Sequence, residues 1–170
     1  MAEAFNSRVL SAARAARYAE VAEEIAAVLE GEANLTARMA TVVAMLAQTF
    51  DRFFWIGFYV VDPLKPDELV VGPYQGTLGC LRIRIGQGVC GAAAAERRTL
   101  IVPDVDVFPG HIACDSRSRS EIVVPVIGPG GQVTGVLDID STELDAFDDT
   151  DAHWLERILA SAFGDNASLT

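Results

Sequence analysis

Residues 121–140 read EIVVPVIGPGGQVTGVLDID, two apolar runs on either side of the turn-forming segment Gly128-Pro-Gly-Gly131. Runs rich in β-branched residues around such a turn predict a β-hairpin, with strands over 121–127 and 132–139. In the second run Asp138 and Asp140 alternate with Leu137 and Ile139. Successive side chains of a strand point to opposite faces, so both acids are expected on one face of the sheet.

Helices and further strands precede and follow this hairpin. Apolar periodicity predicts helices over 8–30, from an Asn34 cap to about 50, over 88–98, and from Asp148 or Asp149 to near Gly164. Four further strands are predicted over 53–61, 68–72, 81–85 and 100–102. Strands grouped in this way predict an α+β domain with a central antiparallel β-sheet and helices packed against it.

Length and charge restrict the classes of function. The chain has 170 residues, which favours one domain, and its formal net charge of −11 disfavours nucleic acid and membrane surfaces as partners. The sequence shows neither a secretory signal nor an apolar run of about 18 residues. An odd number of cysteines in such a chain predicts a reducing, cytoplasmic location.

Three cysteines, Cys80, Cys90 and Cys114, are spaced C-x9-C-x23-C. Cys114 lies in a long loop over 103–120, which favours access, and His111 nearby favours thiolate. Cys90 begins a predicted helix, whose N-terminus lowers a thiol pKa, so local physics nominates it as the reactive thiol; a small buried side chain is the alternative. Cys80 could pair with another cysteine within about 6 Å between Cα atoms. Zinc held by His111 and the cysteines is a weaker alternative, because the spacing is wide.

Three acids and two aromatic residues complete the candidate site. Glu121 begins the strand next to Asp138 and Asp140, and three carboxylates on one face would raise one another's pKa unless the face is open to solvent. Trp55 and Tyr59 are four apart in a predicted strand, hence on one face, where they serve either the core or a ligand. The GQGVCG segment over 86–91 resembles a dinucleotide-binding motif, but the preceding strand alternates Arg and Ile, which favours a plain tight turn.

Seven short motifs together resemble the GAF-domain free methionine-(R)-sulfoxide reductases. They are FWIGFY at 54–59, GPYQG at 72–76, GQGVCG at 86–91, VPDV at 102–105, PGHIACD at 109–115, SEIVVP at 120–125 and GVLDID at 135–140. The resemblance runs from about 18 to 159. It implies a GAF fold over 18–164, with an N-terminal helical extension over 1–17 and a tail over 165–170.

The resemblance also implies an activity, the thioredoxin-dependent reduction of free L-methionine (R)-S-oxide in oxidative stress. It implies that Cys114 is the nucleophile, Cys80 the main resolving thiol and Cys90 an alternative resolver. On this basis the acids are expected to donate a proton and hold the substrate ammonium, and the two aromatic rings to pack its methyl group. No metal or other cofactor is expected, and a homodimer is left open. The alternatives are a non-catalytic GAF sensor of a cyclic nucleotide or similar molecule, and a zinc-stabilised interaction domain.

Overall fold

A computed structural model describes residues 2–112 and 114–164 of the chain, and confirms the α+β prediction. The helices are α1 (Ala2–Val28), α2 (Leu35–Thr49), α3 (Gly88–Glu96) and α4 (Asp149–Phe163), with a 3₁₀ turn at Val105–Val107. The strands are β1 (Trp55–Asp62), β2 (Lys65–Gln75), β3 (Arg82–Arg84), β4 (Leu100–Val102), β5 (Ser120–Ile127) and β6 (Val133–Ser141).

The six strands form one antiparallel sheet in the order β3-β2-β1-β6-β5-β4. The predicted hairpin is β5–β6, and the Gly128 N–H donates to the Gln132 carbonyl at 2.9 Å to close its turn. Gly130 and Gly131 have φ angles of 86° and 81°, which glycine adopts without steric cost. The hairpin therefore places β6 at the centre of the sheet, between β5 and β1.

The sheet separates two apolar layers. Helices α1, α2 and α4 cover one face, where Leu137 and Ile139 of β6 are fully buried. Helix α3 and the connecting loops cover the other face, where Val136 packs with residues of α3. The strand alternation predicted for β6 is thus confirmed, and it directs Asp138 and Asp140 toward the α3 side.

Polar contacts fix the ends of the helices. The Asn34 side chain accepts a hydrogen bond from the Ala37 N–H at 3.0 Å, which confirms its predicted role as the N-cap of α2. Asp148 caps α4 in a reciprocal arrangement with Asp151. The buried Tyr18 hydroxyl donates to Asp151 at 2.8 Å and joins α1 to α4. Among the described helices, none combines the length and apolar character that crossing a bilayer requires.

Some predicted boundaries were wrong. Strand β2 covers 65–75 rather than 68–72, because it pairs with β1 on one side and β3 on the other, and these partners extend it beyond its apolar centre. Helix α1 begins at Ala2 rather than residue 8 and continues through residues 17 and 18. The division into an extension over 1–17 and a domain over 18–164 stays a prediction, and the tail over 165–170 lies outside the described residues.

Candidate active site

A small cavity lies on the α3 side of the sheet, beside the loops that carry Cys80 and Cys114. Its volume is about 40 Å³, enough for a few water molecules. All the predicted site residues line it except Cys80, whose neighbour Gly79 does so: Trp55, Tyr59, Cys90, Cys114, Glu121, Asp138 and Asp140. Side chains far apart in the sequence therefore meet at one place in the fold.

A disulfide joins Cys80 to Cys114, with 5.5 Å between the two Cα atoms. This separation lies in the usual range for disulfides and agrees with the limit of about 6 Å expected for pairing. Cys114 is exposed and Cys80 is half-buried. The structure therefore shows an oxidised state, with the bond at the edge of the cavity and its Cys114 end exposed.

Hydrogen bonds also connect the loop that contains Cys80 to the loop that contains Cys114. The Thr77 hydroxyl donates to the Asp115 carboxylate at 2.7 Å, and the Arg117 guanidinium donates to the same carboxylate at 2.8 and 3.0 Å. Arg117 also lies 4.8 Å from the ring centroid of Phe54. These hydrogen bonds hold the pKa of Asp115 well below its usual range. We call the contacts of Thr77, Asp115 and Arg117 the clasp.

The aromatic wall of the cavity depends on a glycine. The rings of Trp55 and Tyr59 stack with centroids 5.8 Å apart, and both side chains are buried. A Cβ atom at Gly57 would come within 2.6 Å of the Trp55 ring, so only glycine leaves room for this arrangement. The Trp55 indole N–H donates to the Thr77 carbonyl at 2.9 Å, which fixes the ring beside the clasp.

The acids come together through the register of the sheet. Glu121 of β5 is paired with Asp140 of β6, and Asp140 with Trp55 of β1. Glu121 and Asp138 are only 5% and 6% exposed, while Asp140 is partly buried. The alternative of a solvent-exposed acidic face was therefore wrong. One carboxylate oxygen of Asp138, Oδ1, is buried without a hydrogen-bond partner, which is costly unless a ligand satisfies it.

Burial changes the protonation of all three acids. It raises the pKa of Glu121, and the charge of Asp140 raises it further. Burial also raises the pKa of Asp138, with the charge of Glu121 as the next cause. The pKa of Asp140 is raised to about 6 by burial, although a hydrogen bond from Ser118 works in the opposite direction. Near neutral pH the cluster can therefore hold a proton that a surface carboxyl would have lost.

Cys90 does not have the environment that its place in the sequence suggests. It lies in the first turn of α3, but it is buried, and its sulfur is 3.9 Å from an oxygen of Glu121. Burial raises the pKa of the Cys90 thiol, and the charges of Asp138 and Glu121 add to this effect. The local argument for Cys90 as the reactive thiolate was therefore wrong, because desolvation and carboxylates outweigh the helix N-terminus.

Two polar side chains that contact the acids were not predicted from the sequence. The His111 Nε2 atom lies 3.6 Å from a Glu121 oxygen, and the Ser118 hydroxyl donates to Asp140. Proximity to Cys114 marks His111 as a candidate, but no local pattern predicts its contact with a strand residue. The disulfide also removes Cys80 and Cys114 from any metal site in this state, which disfavours the zinc site suggested for His111 and the three cysteines.

Comparison with known proteins identifies the family. The sequence model of the GAF domain matches residues 32–162. A free methionine-R-sulfoxide reductase of Escherichia coli (strain K12) is 43% identical over 143 residues, which cover 84% of this chain and 84% of that protein. The chain belongs to the GAF-domain free methionine-R-sulfoxide reductase family.

Two further proteins are similar to this chain. GAF domain-containing protein A of Dictyostelium discoideum is 50% identical over 143 residues, covering 84% of this chain and 88% of that one. The structure of the free methionine-R-sulfoxide reductase of Neisseria meningitidis in complex with its substrate superposes with a TM-score of 0.84 at 48% identity. That match covers 88% of this chain and 87% of that chain. The expected family and fold are confirmed.

Proposed function

We propose that this chain reduces free L-methionine (R)-S-oxide to L-methionine. One observation carries the proposal: the Cys80–Cys114 disulfide lies at the edge of a cavity that is lined by three acids, and one of these acids has a buried oxygen without a hydrogen-bond partner. A thiol pair supplies two electrons, the acids supply a proton, and the unsatisfied oxygen supplies a place for a cationic group. Reduction of a sulfoxide on an amino acid needs all three.

In the first step the Cys114 thiolate attacks the sulfoxide sulfur. The bond between the methionine sulfur and the sulfoxide oxygen breaks only after the oxygen is protonated. The cluster of Glu121, Asp138 and Asp140 supplies this proton. The oxygen passes to Cys114, which becomes a sulfenic acid, and methionine is released. Burial keeps the cluster partly protonated near neutral pH, so the donor is available where the enzyme works.

The cavity recognises the substrate through three of its groups. The rings of Trp55 and Tyr59 pack against the S-methyl group, and the unsatisfied oxygen of Asp138 receives the ammonium. The N–H groups that begin α3 at Gly88 and Val89 are donors for the α-carboxylate. A methionine sulfoxide within a protein lacks both the free ammonium and the free carboxylate, so the free amino acid is preferred.

In the second step Cys80 attacks the sulfenic acid of Cys114, and the disulfide forms with loss of water. A dithiol reductant such as thioredoxin then reduces the disulfide and restores both thiols. Cys90 stays a predicted alternative resolver, although in this structure it is free and buried. The loops must open once the disulfide is reduced, because a cavity with room for a few waters cannot hold methionine sulfoxide.

The setting of this reaction belongs to the same proposal. Three cysteines in a chain of this composition suit a reducing compartment, and we therefore place the enzyme in the cytoplasm, acting in oxidative stress. Thioredoxin as the physiological reductant also belongs to the proposal, and a homodimer stays a prediction.

Single-turnover methionine release tests the assignment. The reduced wild-type chain is mixed with the R or the S sulfoxide of free methionine, or with a peptide that contains the R form. Release is expected with the free R form alone and disappears in Cys114→Ser. In Cys80→Ser about one methionine is released per enzyme before turnover stalls. Multiple turnover by Cys114→Ser would rule out the mechanism. Calorimetric binding of a cyclic nucleotide without any sulfoxide reduction would instead support the sensor alternative.

A further inference from the structure

We propose that the same cavity binds a zinc ion through Cys90, Glu121 and Asp138, and that the ion inhibits the reductase by occupying the place of the substrate ammonium. Zinc binding depends only on these three side chains. The inhibition rests in addition on the proposed function.

The ligand atoms are already close together. The Cys90 sulfur and one carboxylate oxygen each from Glu121 and Asp138 lie within 4.8 Å of one another. All three residues are buried, with exposures of 4%, 5% and 6%. A thiolate with two carboxylates is a ligand set for zinc, whereas magnesium and calcium require oxygen ligands throughout.

The scarcity of basic side chains around the acids favours a cation at this point. Among the described residues that line the cavity there is neither Lys nor Arg, and His111 is the basic side chain nearest to the acids. The Asp138 Oδ1 atom has no hydrogen-bond partner although it is buried. Asp138 lies within the acid cluster, and an entering cation would satisfy this buried oxygen.

The disulfide leaves this site intact. Cys80 and Cys114 are joined to each other, so neither sulfur can act as a thiolate ligand in the oxidised chain. Cys90 is the remaining free thiol in the sequence of three cysteines. Metal bound to the oxidised protein through sulfur must therefore use Cys90, and the ligand is identified without mutating the redox pair.

Metal binding must displace protons from the ligands. A cysteine binds zinc as the thiolate, so the Cys90 thiol must lose its proton when metal arrives. The affinity is therefore expected to rise with pH. The other titratable groups that face the cavity are Tyr59, His111, Asp115 and Asp140. The pKa of Asp140, which is raised to about 6, adds to this dependence.

Cobalt titration of the oxidised chain tests the site. Co²⁺ prefers similar ligands and gives a thiolate-to-metal absorption band in the near ultraviolet, which Zn²⁺ should then abolish by displacement. One equivalent is expected to bind with this band. Cys90→Ser should remove the band. Glu121→Gln and Asp138→Asn should each weaken metal binding, with a dissociation constant that is higher by at least about tenfold. The matched control is Glu96→Gln, an acid at the other end of α3, which should bind as the wild type does.

Several results would overturn the inference. The first is the absence of stoichiometric Co²⁺ binding by the wild type. The second is an unchanged absorption band in Cys90→Ser, which would indicate adventitious surface binding. If Cys90→Ser does not fold, the spectrum of the oxidised wild type decides the matter, because Cys90 is the free thiol of the described residues. A thiolate-to-metal band at one equivalent of Co²⁺ supports ligation by Cys90, and stoichiometric binding without this band contradicts it.

A separate assay tests the inhibition. Zn²⁺ should raise the concentration of methionine sulfoxide that the reduced chain needs for single-turnover methionine release, a readout that excludes effects on thioredoxin. Unchanged release would overturn the inhibitory role. Because the optical titration contains no substrate, metal binding without reductase activity would refute the proposed function alone. Reductase activity without metal binding would refute this inference alone.

Discussion

At the scale of single residues, the cavity keeps acidic groups protonated at a pH where water would ionise them. Burial raises the pKa of Glu121, Asp138 and Cys90. The charge of Asp140 raises the pKa of both acids further, and the charges of the two acids raise that of the Cys90 thiol. Buried acidic groups of this kind do not stabilise the fold. Such a group is a suitable donor for the proposed reaction, in which the sulfoxide oxygen must be protonated before it passes to the cysteine sulfur.

Substitution of Asp138 tests the carboxylate cage. In Asp138→Asn the substrate ammonium loses its charged partner but the side chain keeps its size, so kcat/KM for free methionine R-sulfoxide should fall about 10²-fold or more. Glu121→Gln and Asp140→Asn should also lose far more activity than a surface substitution does. Steady-state kinetics of the reduced enzyme measure these changes, with Glu96→Gln as the control. Near-neutral effects of all three cavity substitutions would contradict the cage.

Some of these residue properties could be predicted from sequence and others could not. The alternation of Asp138 and Asp140 with Leu137 and Ile139 correctly predicted that both acids share one face, because alternation is a property of the strand alone. The environment of Cys90 was wrongly inferred from its helix. Burial beneath a sheet and proximity to two acids from other strands outweigh the helix N-terminus, and neither effect is visible in the neighbouring sequence.

At the scale of elements, two loops contain Cys80 and Cys114, the thiols that the proposed function uses, and the clasp joins these loops. Thr77 precedes Cys80 by three residues, and Asp115 directly follows Cys114. Their hydrogen bond contains no sulfur, so it can form again when the loops close after methionine release, before the disulfide exists. We infer that the clasp keeps Cys80 close to Cys114 while the sulfenic acid waits for attack, which raises the effective concentration of the resolving thiol.

Thr77→Val tests this positioning role. The substitution removes a hydrogen bond to a charged group, and the formation of the disulfide after methionine release should slow about tenfold or more. The first methionine should be released at the wild-type rate, because Thr77 supplies no proton or electron to that step. Quenched-flow mass spectrometry with a sulfenic-acid trap measures the two steps separately.

The matched control for this experiment is Thr99→Val. Thr99 also bonds an acid through its hydroxyl, Glu156, but on the exposed surface away from the cavity. This control should resolve its sulfenic acid as fast as the wild type. Equal rates of disulfide formation in Thr77→Val and the wild type would show that the clasp plays no part in resolution.

Elements were easier to predict than the contacts between them. Each helix and strand has a local signal, such as the Asn34 cap or the glycine-rich turn of the hairpin, and the order of elements was predicted correctly. The length of β2 was underestimated because pairing on both sides, rather than apolar content, sets its ends. The contacts of Thr77 with Asp115 and of His111 with Glu121 join loops and strands with no periodic relation, so no sequence pattern indicates them.

At the scale of the whole molecule, the sheet separates stability from chemistry. One face carries an apolar core shared with α1, α2 and α4, and the other carries the cavity with its buried acids. Burial of acids costs stability whenever they must ionise. The larger apolar core offsets this cost, which is consistent with the usual conflict between stability and activity at functional sites.

This division predicts an unusual dependence of stability on pH. The folded pKa values of Glu121, Asp138 and Asp140 are raised, so in the window above about pH 4 the folded chain holds protons that the unfolded chain has lost. The stability that these protons contribute is complete below the unfolded pKa and is lost as pH rises through the folded pKa, about 6 for Asp140. The slope is about 1.4 kcal/mol per pH unit for each such proton. Asp115, whose pKa is lowered, acts only in more acidic solution.

Urea unfolding of the oxidised chain between pH 5.5 and 8.5 measures this effect, with Glu121→Gln as the variant. A neutral amide has no proton to lose, so the free energy of unfolding of the variant, relative to the wild type, should increase steadily with pH. The same substitution should reduce activity, because the group that destabilises the fold is the one that serves the reaction. Glu96→Gln should show a difference from wild type that does not change with pH. If the difference in unfolding free energy between Glu121→Gln and the wild type is also independent of pH, Glu121 is ionised throughout this range. A protonated Glu121 then cannot be the acid that the reduction requires.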